Sequence, residues 1–240
     1  MSVAQPAGDA ASSSNNSGPD TSRDFFVGLP GPVYRLVRAF ARALARVYWR
    51  LDVRGLENVP LSGPVIIAPV HRSFVDFLVA ACVTRRKVFF MAKDSLFRSK
   101  GFGRFLESLG AFPVNRDGAD RLAIERSQAI LERGEALILF PEGQRRFGTV
   151  VEDLHEGAAF LAARTGASIV PVGIGGTAEA MPKGKTVPRP VKVHAVIGPP
   201  IPAPLRSERG RVARHQVHAV TERLTQELQA LFDDARSLGR

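Results

Sequence analysis

Short apolar runs alternate with stretches of helical period over most of this chain, and that alternation limits the fold more than any single motif. The runs are residues 65–69 (VIIAP), 88–91 (VFFM), 111–114 (AFPV), 136–140 (ALILF), 169–174 (IVPVGI) and 191–197 (VKVHAVI). In length and in apolar content they read as strands. Residues 74–83, 103–109, 119–133, 154–165 and 207–235 read as helices. In the last of these Val212, Val217, Val220, Leu224, Leu228 and Leu231 share one face, so it is expected to cover the sheet. Strands alternating with helices predict an α/β architecture, with helices layered on a central sheet. A chain of 240 residues is expected to build one well-buried core rather than two. The stretch 181–190, MPKGKTVPRP, reads as a surface loop.

The N-terminal part departs from this pattern. Residues 1–24 are small and polar and bury too little apolar area to offset ordering entropy, so a disordered tail is expected. Residues 25–52 are assigned to an amphipathic helix, on a pattern that runs from 32 to 51. Arg35, Arg38, Arg42, Arg46 and Arg50 recur at steps of three and four and form one stripe. Val33, Leu36, Val37, Phe40, Leu44, Val47 and Tyr48 centre on the opposite face. Such a helix suits a membrane interface, with the apolar face at the acyl boundary and the arginines on lipid phosphates. It equally suits a helix packed on its own domain with solvated arginines. Residues 53–240 then form the globular domain.

The formal net charge of +10 implies an anionic partner: a phospholipid surface, nucleic acid or a phosphorylated substrate. One cysteine, Cys82, excludes an internal disulfide framework and fits a reducing compartment. It lies in an apolar run, which favours a buried thiol over a nucleophile. No stretch reaches the ~18 uninterrupted apolar residues of a spanning helix. The first residues lack the apolar core of a secretory signal, so a soluble or surface-bound protein is expected.

Three segments carry residues suited to chemistry. HRSFVD, residues 71–76, leaves the end of the VIIAPV run, where open α/β sheets place their sites. If the chain turns into a helix there, Asp76 can return to the His71 ring and hold it in one tautomer, making a general base. A structural histidine beside a helix-capping aspartate fits the same spacing. GAFPVNR, residues 110–116, places Arg116 just before a helix opened by Asp117 to Asp120, a good phosphate site. FPEGQR, residues 140–145, offers Glu142, Gly143 and Arg145 at another strand-to-loop junction.

Together with IVPVGI, these segments resemble, in order and spacing, the four blocks of the glycerolipid acyltransferase superfamily, above all bacterial 1-acyl-glycerol-3-phosphate acyltransferases. The resemblance spans residues 55–176, including LHEGAAFLAARTGASIVPV between the third and fourth blocks. It implies a single α/β domain with a mixed central sheet flanked by helices and preceded by the amphipathic helix. It also implies acyl-CoA or acyl-carrier protein as donor, a lysophospholipid acceptor converted to phosphatidic acid, and neither metal nor other cofactor. The catalytic pair falls on His71 and Asp76, and the acceptor phosphate region on Arg116, Glu142, Gly143 and Arg145. The helix is then expected on an anionic membrane surface, with the protein peripheral on the cytoplasmic side.

The chain departs from that pattern at Val70, where a polar residue usually precedes the histidine, and at Gln144, where Thr or Ser usually precedes the arginine. A lysine common after the third block is replaced by the neighbourhood of His155 and Glu156. These changes leave a glycolipid or another lysophospholipid open as acceptor. There is no G-x-S-x-G nucleophile elbow. His215 and His218 lack companions for a metal site, and His194 reads as structural. Phe89, Phe90, Phe97, Phe102 and Phe105 are interleaved with basic residues between Arg85 and Arg104, as on a nucleic-acid surface. Beside the four blocks, a lipid surface or an acyl carrier is the preferred reading of that segment. A non-catalytic basic membrane module is the rival from another class.

Overall fold

The computed structural model describes residues 31–115, 120–182, 184–205 and 212–239. Its core is a seven-stranded sheet in the order β1-β7-β6-β2-β5-β3-β4. The strands are β1 (Asp52–Arg54), β2 (Val65–Pro69), β3 (Val88–Lys93), β4 (Ala111–Val114), β5 (Ala136–Ile138), β6 (Ser168–Gly175) and β7 (His194–Ile197). Neighbours run parallel except β6 and β7, which makes the sheet mixed. The helices are α1 (Gly31–Tyr48), α2 (Val75–Cys82), α3 (Lys100–Ser108), α4 (Arg121–Glu132), α5 (Gly157–Thr165), α6 (Thr177–Ala180) and α7 (Arg214–Ser237).

The apolar runs became strands because parallel strands covered on both faces want continuous rather than alternating hydrophobicity. All five residues of β2 are buried, between β5 on one side and β6 on the other. Strand β1 has no such run: its three residues are Asp, Val and Arg, and it gains its place by pairing with β7 (Asp52↔His194). The run 136–140 is cut at Ile138, since Leu139 still donates to Ile67 O but Phe140 already accepts the N–H of Gly143 in a turn. At 191–193 the strand is likewise shortened, because Val193 exchanges backbone bonds with Trp49 and Asp52. The helix expected from residue 154 starts at Gly157, because the His155 N–H donates to Pro141 O. Ser207, the expected start of the last helix, lies outside the described residues, as do residues 1–24.

Helix α7 lies against β6 with its backbone almost in contact. A methyl group on Gly173 would run into the Leu231 carbonyl, and one on Gly175 into that of Ala235. On the inner face of α7, Val217, Thr221, Leu224, Leu228, Phe232 and Ala235 are buried. His194 is buried on β7, 3.4 Å from Asp52, and burial pushes its imidazole below the ordinary range.

Helix α1 is oriented in a way its arginine periodicity did not foretell. Arg38 turns inward and donates to the carbonyls of Thr84, Arg85 and Arg86, while Arg42 donates to Cys82 O. These carbonyls lie at and beyond the C-terminus of α2, where unpaired acceptors and the helix dipole attract cations. Ala45 and Trp49 are buried, and the indole N–H donates to Arg189 O. Arg38 and Arg42 thus serve the protein itself, as does Arg50, which lies beyond the end of α1 and donates to Pro190 O at 3.4 Å. The outward stripe is apolar, with Leu36 72%, Phe40 69% and Val47 80% exposed.

Candidate active site

Strand β2 ends at Pro69, and the Val70 N–H still donates to Val172 O of β6. The IVPVGI segment therefore buttresses the strand that delivers His71, with Pro69 paired to Val172. The chain then turns directly into α2, which brings Asp76 into the first helical turn. There a carboxylate is favoured by the unpaired N–H groups and the dipole. Asp76 Oδ2 accepts from the Arg72 N–H at 2.5 Å and from the Ser73 N–H at 2.6 Å. The same oxygen lies 3.0 Å from His71 Nδ1. A buried carboxylate so placed wants a proton on Nδ1, which leaves the Nε2 lone pair free. The ring is held between Phe140, at 4.1 Å, and Phe77, at 5.3 Å edge-on.

The FPEGQR segment reaches the same point from β5, the neighbour of β2. Gly143 has φ +67, and a methyl group there would meet the His155 ring at 2.7 Å, so both conformation and space call for glycine. The turn directs Glu142 into the protein, where it is fully buried. Its Oε2 accepts the His71 N–H at 2.7 Å, and both oxygens accept from Arg72 Nη1 at 2.5 and 2.8 Å. Arg145 points the other way. Its guanidinium carbon lies 3.8 Å above the Phe74 ring, and both residues line the cavity described next.

A cavity of about 660 Å³ opens at His71 and is mostly apolar. Phe74, Phe77, Leu78, Ala81 and Cys82 line it from one face of α2, Val37 and Ala41 from α1, and Leu96, Phe102 and Leu106 from the region before and within α3. Burial pushes the Cys82 thiol up, against the opposing pull of Arg42 and Arg38, so the neutral form is favoured, as its apolar surroundings suggested. A base on a mostly apolar cavity can deprotonate a hydroxyl beside an aliphatic chain.

The family model for acyltransferases matches residues 50–175, more than half of the chain. The chain belongs to the acyltransferase family. Among its relatives is the 1-acyl-sn-glycerol-3-phosphate acyltransferase of Bacillus subtilis, 30% identical over 152 residues that cover 63% of this chain and 73% of that protein. The chloroplast 1-acyl-sn-glycerol-3-phosphate acyltransferase LPAT1 of Arabidopsis thaliana is 30% identical over 141 residues, which cover 57% of this chain. This chain spans only 39% of the length of that plant relative. The crystal structure of the 1-acyl-sn-glycerophosphate acyltransferase of Thermotoga maritima has the same fold, with a TM-score of 0.66 over 87% of this chain and 86% of that one at 23% identity.

In this member of the family the first, third and fourth blocks come together at His71, while the second runs along β4 at the edge of the sheet. Of the residues singled out by sequence, His71, Asp76, Glu142, Gly143 and Arg145 come together. Arg116, with Asp117, lies outside the described residues. Asp120 caps α4 by accepting the Ala123 N–H at 2.9 Å. Val70 is fully buried among core residues, whereas Gln144 is exposed. His215 and His218 lie on the exposed side of α7. Sequence reasoning passed over Arg72, the buried partner of Glu142. The signal was an arginine inside a block otherwise built for burial, with a glutamate of the same kind in the third block.

Proposed function

We propose that the protein transfers a fatty acyl group from acyl-CoA or acyl-carrier protein to the free hydroxyl of 1-acyl-glycerol-3-phosphate, giving phosphatidic acid. The observation that carries this reading is the buried His71–Asp76 pair, 3.0 Å apart, opening on the apolar cavity. The names of the bacterial and plant relatives point to the same acceptor. In this reading His71 Nε2 takes the proton of the acceptor hydroxyl as its oxygen attacks the thioester carbonyl. The tetrahedral adduct collapses, the C–S bond breaks, and the imidazolium returns the proton to the departing thiolate. Asp76 keeps the ring in the tautomer required and stabilises its charged form. The cavity along α2 takes the acyl chain. Arg145, with Arg116, takes the acceptor phosphate and so positions the hydroxyl at His71.

The same reading puts the protein on the cytoplasmic face of a membrane as a peripheral enzyme. Support comes from the apolar outer stripe of α1 and from Leu96, Phe102 and Phe105, which are exposed among Lys93, Arg98, Lys100 and Arg104. Both surfaces flank the cavity, and bulky apolar groups rimmed by cations suit an anionic lipid interface. Among the described residues no helix is long and apolar enough to cross a membrane.

The test is a panel of lysolipids offered with an acyl thioester, reading thiol release and the mass of the product. Acylation of lysophosphatidate above all other acceptors is the expected result. Preference for a glycolipid or another lysophospholipid would move the acceptor, as the Gln144 departure allows. Absence of thiol release with every acceptor would leave a basic membrane module.

A further inference from the structure

We propose that Arg72 is a positioning residue, whose guanidinium, closed on Glu142, fixes the backbone from which the His71 ring is presented. This rests on the reading above, in which His71 acts on the acceptor hydroxyl. Neither Arg72 nor Glu142 lines the cavity, and both are buried. They therefore act through His71 rather than on substrate within that cavity.

The network around residue 71 is closed on both sides. Its N–H donates to Glu142 Oε2 at 2.7 Å. Its carbonyl accepts from Arg72 Nη1 at 3.2 Å and from the Arg146 N–H at 2.9 Å. With Asp76 on the ring nitrogen, both peptide groups of His71 and its side chain are fixed at once. Arg72 carries this arrangement outward: Nη2 donates to Val150 O at 3.0 Å, and the guanidinium lies 4.8 Å from the centre of the Phe232 ring on α7. A planar fork suits this task, since its donors serve a carboxylate and two carbonyls together. A buried ion pair is weak evidence of a contribution to stability, because desolvation offsets much of its attraction. Its fixed direction is the property that a catalytic base needs, because small misplacement of a reacting group is costly in rate.

Removing one partner strands a buried charge and endangers folding, so the decisive variant is the double change Arg72→Met with Glu142→Gln, checked by circular dichroism and thermal melting. The folded double variant is expected to lose ~10²-fold in kcat with little change in KM for lysophosphatidate. Arg72→Lys should recover only part of kcat, supplying the charge without the fork. In ¹⁵N-histidine-labelled protein, the His71 Nδ1–H resonance, assigned by its absence in His71→Ala, should broaden or vanish in the double variant. A folded double variant with wild-type kcat and an unchanged resonance overturns the proposal. So does a rise in KM at constant kcat, which would make the pair part of acceptor binding. Should the wild type acylate no lysolipid while the resonance still depends on the pair, the functional reading falls and the positioning of His71 stands.

Discussion

The two ends of the cavity treat charge in opposite ways. Around His71 the charged groups face one another: two buried carboxylates and one buried arginine are shared among three consecutive residues. Along α1 the arginines divide, with Arg38 and Arg42 on backbone carbonyls and Arg35 and Arg46 exposed, while leucine, phenylalanine and valine face outward. A site that must hold one geometry closes its hydrogen bonds internally, because an unpaired buried charge is expensive. The outer stripe of α1 leaves apolar groups unpartnered, as the proposed lipid interface would require.

The sharpest way to break this contrast is at the buried end. His71→Ala is expected to lower turnover by ~10²- to 10⁴-fold while leaving the circular dichroism spectrum unchanged. Asp76→Asn should be strongly impaired as well, since the ring loses its orienting acceptor. Near wild-type turnover in folded His71→Ala protein would remove the general base from the mechanism.

On the cavity wall beside Phe74, Arg145→Ala should cost about tenfold to a hundredfold in kcat/KM with lysophosphatidate, the loss of a charge-assisted bond worth ~1.5–3 kcal/mol. The loss should be much smaller with monoacylglycerol, which has the hydroxyl without the phosphate. Arg116→Ala is expected to behave alike. Equal losses with both acceptors would assign these arginines to the donor or to the fold.

At the outer end, the two classes of arginine should separate. Replacing Arg35 and Arg46 with Gln should weaken binding to phosphatidylserine-containing vesicles by ~1 kcal/mol each, with no change in Tm. That loss should shrink as salt is raised. Arg38→Gln and Arg42→Gln should instead lower Tm, because they uncover the C-terminal carbonyls of α2. If all four behave alike in both assays, the division of α1 into an anchoring and a lipid-facing set is wrong.

The smallest effect lies away from both ends. Partial burial would raise the Asp120 carboxyl, but the N–H groups of Asn115, Ala123 and Leu122, aided by Arg126, outweigh it and hold the group below its ordinary value. A depressed carboxylate contributes fully above the unfolded-state value of ~3.9 and loses its contribution as pH falls through the lower, folded value. Asp120→Ala should therefore cost ~1 kcal/mol at pH 7, measured by urea unfolding, with the gap to wild type closing in acid.

The parts of the molecule that sequence revealed are those determined locally. Val65–Pro69 and Ala111–Val114 were legible to the residue, because buried parallel strands leave continuous apolar runs in the chain. His71 and Asp76 were legible because Asp76 lies five residues on from His71 and one turn joins them. Arg72 and Glu142 are 70 residues apart, and only the adjacency of β2 and β5 makes them partners. The arginine period put five residues on one stripe, of which Arg50 falls beyond the end of α1. It held no information on which would meet carbonyls some 40 to 48 residues away. Strand β1 was invisible, since one valine makes no pattern.

The inward arginines of α1 also bear on protein engineering. Trimming the chain before Leu51 is an obvious route to a form without the apolar stripe. Yet Val37 and Ala41 are part of the cavity wall, and Arg38 and Arg42 close the end of the helix opposite. Such a truncation would unroof the cavity as well as strip away the greasy stripe. Charged replacements at Leu36, Phe40 and Val47 alone would be the gentler route, leaving the wall in place.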